Sequence, residues 1–207
     1  MIQIIRKSTS EVTQGERAEI GKVLAMRYTL NRPAESIVQE YCGKVKEVLL
    51  AYSDGDLAAF QFYQNLHLDK VGIHHFSLAC KLPGMPSGIQ ERIGVQVLWN
   101  WFLSSKNIVS PMAVIGICNH PSSYRNMYRM GGACFPDVVN PEKTFRYKQL
   151  YADSTKLLGI ASSDLSDGRL PNRLTALGLH TPAIEQHWHQ DKISASFLKY
   201  IGNDLNT

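Results

Sequence analysis

The chain has 207 residues, 44% of them apolar and 19% charged, with a formal charge of +4. That balance describes a globular protein with one good core, and it excludes a disordered or membrane-embedded chain. No stretch reaches the roughly 18 apolar residues that a spanning helix needs, and the N-terminus lacks a basic-then-apolar signal pattern, so a cytoplasmic protein is expected.

Residues 2–5 read as a short strand ended by Arg6-Lys7-Ser8. Ser10 or Thr13 can cap the helix that follows, which keeps Ile20, Val23, Leu24 and Tyr28 on one face and ends near Pro33. A shorter helix over 34–42 stops at Gly43. Residues 48–52 and 57–63 are strands, joined at Asp54-Gly55, a pair suited to the positive φ angles of a two-residue hairpin turn. A polar stretch over 65–70 leads into the central unit, a buried strand over 73–80, a glycine- and proline-rich turn over 83–88, and an amphipathic helix. Ile89, Ile93, Val97, Leu98, Trp101 and Phe102 give that helix its apolar face, and Trp99 and Trp101 read as core and interface fillers. Residues 112–118 form the next buried strand.

Beyond it, Ser122 or Ser123 can cap a short helix that Gly131-Gly132 ends, before a last short strand over 133–135 closed by Pro136. Residues 145–158 read as strand then helix, 162–173 as a polar loop, and Thr181-Pro182 as the opening of a final helix to about residue 201. The cysteines, Cys42, Cys80, Cys118 and Cys134, have no paired spacing, which predicts buried free thiols and no zinc site. The mild positive charge suits an anionic cofactor or an acidic partner, and without a basic tract it gives no reason to expect nucleic acid.

Two features carry chemistry. The helix starting near Gly88 presents unbonded N–H groups and a positive dipole end, a ready phosphate site. In the strand before it, His74 and His75 are the obvious titratable groups, and strict alternation puts His75 with Ser77 and Ala79, and His74 with Phe76, Leu78 and Cys80. His120, on a loop, is a weaker base. His187 and His189, two apart on a predicted helix, point about 200° from each other and cannot share an ion.

The order β-α-α-β-β-β-α-β-α-β over residues 1–136, with the segments 88–94 and 119–132, resembles the GNAT superfamily of acyl-CoA-dependent N-acyltransferases. The resemblance implies an α/β (α+β) fold, a mixed, mostly antiparallel central sheet flanked by helices, with residues 137–207 as a C-terminal extension completing or flanking the same domain. The family's pyrophosphate loop, Arg/Gln-x-x-Gly-x-Gly/Ala, corresponds here to Gln90-Glu91-Arg92-Ile93-Gly94-Val95, which keeps the first position. A register starting one residue earlier sets Gly94 on the final small position and Arg92 on a glycine position. The family's Tyr-x-x-x-Gly-Phe corresponds to Tyr128 through Gly132, with Ala133 in place of the aromatic.

By that resemblance Tyr128 is the acid that protonates the departing thiolate, and His75 is the candidate base for the attacking amine. Ser77, Leu78, Gly88, Gln90, Arg92, Gly94, Val95 and Asn119 are the expected contacts to acetyl-CoA or another acyl-CoA, with no metal. The acceptor is a small-molecule or peptide amine. Two further readings share the fold. In one, the relaxed loop motif takes its acyl chain from acyl carrier protein, as N-acyl amino acid synthases do. In the other, a non-catalytic module has lost the cofactor. A lid, an arm for a homodimer and a partner surface are the roles left open to residues 137–207.

Overall fold

The computed structural model describes residues 1–85, 88–104, 111–116, 118, 120–130, 135–159, 179–180 and 184–202. They belong to two compact units, Met1–Ile117 and Cys118–Thr207.

The first unit is built on a five-stranded sheet of order β1-β3-β4-β5-β6. Its strands are β1 (Ile2–Ser8), β3 (Glu47–Ser53), β4 (Asp56–Leu68), β5 (Val71–Lys81) and β6 (Met112–Gly116); β2 (Thr29–Leu30) is a two-residue strand outside it. β1, β3, β4 and β5 pair antiparallel, and only β6 runs parallel to its neighbour β5. The mixed, mostly antiparallel sheet expected from the sequence is thus present. Helices α1 (Gln14–Arg27) and α2 (Ala34–Lys44) lie against one face, and α3 (Ile89–Ser104) against the other.

Local chemistry explains the boundaries. Thr13, not Ser10, caps α1: its hydroxyl accepts the Glu16 N–H at 3.2 Å while the Glu16 carboxylate accepts the Thr13 N–H at 2.9 Å, a reciprocal box that satisfies two orphan donors. Asp54 and Gly55 have φ of 53° and 96°, as their turn requires. The polar stretch 65–70 is not a link. β4 runs on to Leu68, and Asp69, at φ 52°, turns the chain directly into β5. Asn65 and His67 alternate with Leu66 and Leu68, so the stretch already had a strand's period of two.

α3 buries Ile89, Ile93 and Val97 against Leu49, Ala51, Tyr63 and Phe76 of the sheet. Trp101 continues that four-residue row and rests on Gly72 of β5, where an added Cβ would sit 2.3 Å from Trp101 Cζ2. Phe102 and Trp99 fall off the row. They are 42% and 55% exposed and stack on each other at 6.0 Å, which corrects the placement of Phe102 on the buried apolar face. Gly72→Ala should therefore cost about 2 kcal/mol, the usual penalty for overpacking. In a Trp101→Leu background the same change should cost less than half as much, read from urea unfolding of the parent and the three variants. A single variant as stable as the parent would contradict the close approach.

The second unit contains α4 (Pro121–Met130), a 3₁₀ segment (Pro141–Tyr147), α5 (Lys148–Leu157), β7 (Leu179–His180), a 3₁₀ turn (Gln186–His189) and α6 (Lys192–Ile201). α4 is capped by His120 rather than by Ser122 or Ser123. The His120 carbonyl accepts the N–H of Ser123 at 3.0 Å, its Nδ1 accepts that of Ser122 at 3.2 Å, and Pro121 takes the first helical position. Residues 145–158 hold no strand, because the 3₁₀ segment runs straight into α5. The last helix starts at Lys192, since the Asp191 Oδ1 accepts the Ser194 N–H at 2.9 Å and sets the cap there. Tyr124, Phe197, Leu198 and Ile201 form this unit's core, with Tyr128 and Trp188 packed on it. Asp191 also faces Arg125 at 3.9 Å and Arg129 at 3.8 Å on α4. The expected strand at 133–135 and the loop at 162–173 lie outside the described residues, Phe135 excepted.

Of Cys42, Cys80 and Cys118, only Cys80 is buried; Cys134 is outside the described residues. Among the described residues, no helix is long and apolar enough to cross a membrane.

Candidate functional site

β5 changes character at its midpoint. The parallel ladder with β6 runs from Gly72–Met112 to Phe76–Gly116, the last described residue of β6, while β5 continues to Lys81 on its β4 side. On that side, Tyr63 faces Phe76 but Gln61 faces Ala79, so two residues of β5, Ser77 and Leu78, oppose the single residue Phe62. This is a β-bulge, which interrupts the ladder and re-aims the backbone groups within it. Ser77 and Leu78, both expected donor contacts, are the bulged pair. Ser77 is half-buried and Leu78 buried.

The bulge also overturns the faces assigned by strict alternation. Counting through β4, His75 (opposite Gln64) shares a face with Cys80 (opposite Phe60), whereas His74 (opposite Asn65) shares one with Phe76 and Ala79. One extra residue shifts the period-two pattern by one position. Cys80 Sγ lies 3.7 Å from the Val23 carbonyl of α1, and Phe62 stacks on Tyr41 of α2, so His75 belongs to the α1–α2 face. Its Nδ1 is 3.4 Å from Gln64 Nε2.

His74 belongs to the α3 face and is fully buried between Tyr63 and Phe76, at ring distances of 5.3 and 4.7 Å. Its Nδ1 bonds Asn65 Oδ1, a carbonyl acceptor, so the proton sits on Nδ1 and the Nε2 lone pair is left without a partner. Burial, helped by the neighbouring His75, pushes its pKa down to about 4. At neutral pH the ring is uncharged.

The turn after β5 is braced: Leu82 N–H donates to the Ala58 carbonyl at 2.9 Å, and Lys81 Nζ to the Met85 carbonyl at 3.2 Å. Gly88, at φ 92°, brings the chain into α3, and its carbonyl accepts the Arg92 N–H at 2.9 Å. From Arg92 onward the amides serve the helix, Gly94 and Val95 included, because they lie in its second turn. The amides that a helix start leaves unbonded are those ahead of Arg92, on Ile89, Gln90 and Glu91. Arg92 itself is exposed in that first turn, Gln90 half-buried. Asn119 lies outside the described residues.

In the second unit, Tyr128 is a half-buried residue of α4, one turn past Tyr124. Its hydroxyl oxygen accepts a hydrogen bond from Asn140 Nδ2 at 3.2 Å. Asn140 was not singled out in the sequence. His120 is engaged in the α4 cap, with Ser122 Oγ 2.7 Å from its Nδ1 and Trp188 edge-on at 5.5 Å. His187 faces Glu185 at 3.1 Å on a 3₁₀ turn, not on the predicted helix. No group of three or more metal-ligating side chains occurs among the described residues.

No protein-family model matches this sequence. No curated protein matches it either. Among solved structures it is similar to the ribosomal-protein-alanine N-acetyltransferase of Brucella melitensis biovar Abortus 2308, at 14% identity and a TM-score of 0.51, over 65% of this chain and 94% of that one. It is also similar to a GNAT-family protein of Desulfovibrio desulfuricans, at 13% identity and a TM-score of 0.50, over 63% of this chain and 84% of that one. At such identities the likeness is one of fold. By its sheet order and by this likeness, the chain has the fold of the GNAT superfamily.

Proposed function

We propose that the chain is an N-acyltransferase that moves an acetyl or other acyl group from an acyl-CoA thioester to an amine. The observation that carries the reading is the bulge at Ser77–Leu78, set where the β5–β6 ladder reaches its last described pair. Backbone groups turned out of a ladder can bond an extended, amide-bearing chain such as pantetheine, and a bulge amide can face a developing oxyanion. The start of α3 follows within the same stretch. Its first-turn amides, with Gly88 leaving room, and the Gln90 and Arg92 side chains suit a pyrophosphate, with Gly94 and Val95 in the turn behind. Asn119 remains part of the proposed donor contacts. His75 is the proposed base, acting on the amine directly or through water, and Tyr128 the proposed acid.

A second donor is favoured by one feature: Arg92, an exposed cation, stands where one register of the loop motif has glycine. That residue suits an acidic carrier protein as well as a diphosphate. The test is a thermal-shift series with CoA, acetyl-CoA, long-chain acyl-CoA and acylated carrier protein, followed by thiol release with a panel of amines. A ligand held at 100 times its Kd adds about 2.7 kcal/mol of stability, well within reach of the measurement. A shift with CoA and its esters supports the first reading, and one confined to the carrier protein supports the second. No shift with any of them leaves a non-catalytic module.

Arg92→Glu sharpens the test. Reversing the charge should weaken CoA three- to tenfold, about 1 kcal/mol, and leave binding of an acyl-pantetheine without the diphosphate unchanged. A glutamate in the first turn of a helix favours the helix dipole, so lost stability cannot mimic lost affinity. Equal affinity for CoA in parent and variant, by calorimetry, would move the diphosphate elsewhere.

A further inference from the structure

We infer that Asn140 is a positioning residue that holds the Tyr128 hydroxyl for proton transfer; the inference rests on the proposed role of Tyr128 as the acid. The segment 136–140 is fixed along α4 by two tyrosines one turn apart. Tyr124 Oη donates to the Pro136 carbonyl at 2.7 Å and accepts the Val138 N–H at 3.2 Å. Between those two bonds the buried Asp137 turns back, its Oδ1 accepting the N–H of Val139 at 3.1 Å and of Asn140 at 2.8 Å. The Asn140 carbonyl then accepts the Lys143 N–H at 3.0 Å, so the residue's backbone is held on both sides. Its side chain then donates from Nδ2 to Tyr128 Oη at 3.2 Å.

The direction of that bond matters. An amide N–H can only donate, so in this contact the phenol oxygen is the acceptor and its own proton points to a different partner. In the proposed step the thioester C–S bond breaks, its electron pair stays on sulfur, and the sulfur takes the phenol proton. The S–H bond forms as the O–H bond breaks, leaving a phenolate that recovers its proton, through solvent, from the nitrogen that has been acylated. As negative charge builds on Oη, the bond from Nδ2 becomes charge-assisted and strengthens. It is thus worth more in the transition state than in the ground state, the condition for raising kcat rather than lowering KM.

The test uses the full chain and a thiol-release assay. Asn140→Leu should lower kcat about five- to tenfold with the KM for the acyl donor within twofold of the parent. Combined with Tyr128→Phe, it should cause no further loss, since the group it serves is gone. Asn140→Asp keeps the shape and puts an acceptor where the donor stood. The phenol proton is drawn to the carboxylate, and kcat should fall further than with leucine; this variant also serves if leucine disturbs folding. An unchanged kcat in both Asn140 variants, beside a defective Tyr128→Phe, overturns the inference and leaves the acid in place. Losses that multiply in the double variant overturn it too, because Asn140 then acts elsewhere. A fully active Tyr128→Phe removes the acid reading and this inference with it.

Discussion

Tyr128→Phe is expected to lower turnover about a hundredfold, the usual contribution of a positioned general acid, while unfolding free energy stays within about 1 kcal/mol of the parent. The asymmetry follows from what the substitution removes. The ring keeps its neighbours, Tyr124 at 6.0 Å and the apolar cluster around Phe197. Only the hydroxyl is lost, and with it the bond from Asn140 Nδ2. Asn140 is half-buried, so its amide can turn to water and is not stranded. A thiolate leaving without a proton is a much poorer outcome at neutral pH, so the defect belongs in kcat. The readout is initial thiol release over a range of acyl-donor concentrations, with urea unfolding as the control. A rate within twofold of the parent would end the proposed role. A change in KM alone would make the tyrosine a contact to the donor and not an acid.

Which parts could be read from the sequence depended on whether the signal was local. Asp54-Gly55 declares its turn because two positive φ values leave few residue choices, and the α3 row of Ile89, Ile93 and Val97 declares its buried face by spacing alone. The second hairpin was as local but less loud. Asp69 takes a positive φ without a glycine beside it, and the polar half of an alternating strand passed for a link. The bulge is of another kind. Nothing in His74 through Cys80 marks Ser77 and Leu78 as sharing one partner, because the partner, Phe62, lies on another strand. Missing it reversed every face assignment beyond Phe76. The capping of α4 by a histidine was hidden for a similar reason, since two serines beside it are better caps by type and lose on position. The support under Tyr128 needed a fold to appear: Asn140 is twelve residues away in sequence and one hydrogen bond away in space.

Stability should fall by about 2 kcal/mol between pH 7.5 and pH 5 on account of His74 alone. The ring is buried among Tyr63, Phe76 and Asn65, and its bond to Asn65 takes the Nδ1 proton. Charging it puts a second proton on Nε2, where no acceptor waits, and desolvates a cation beside His75. That is why its pKa lies at about 4 in the folded chain against an ordinary 6.5. The folded state therefore binds fewer protons than the unfolded one throughout this window. The associated stability is complete above pH 6.5, declines as the pH falls, and is gone once the pH passes below about 4, for a total near 3 kcal/mol. His74→Gln isolates the effect, since a glutamine amide can still donate to Asn65 Oδ1 and does not titrate. Whatever it does to stability at pH 7.5, the loss on going to pH 5 should shrink by about 2 kcal/mol relative to the parent. The window stops short of the range where most carboxylates protonate, so their share largely cancels between parent and variant. Equal acid losses in the two proteins, by urea unfolding at both pH values, would mean that the ring charges as readily folded as unfolded and that the apolar enclosure on the α3 face of β5 is not as drawn.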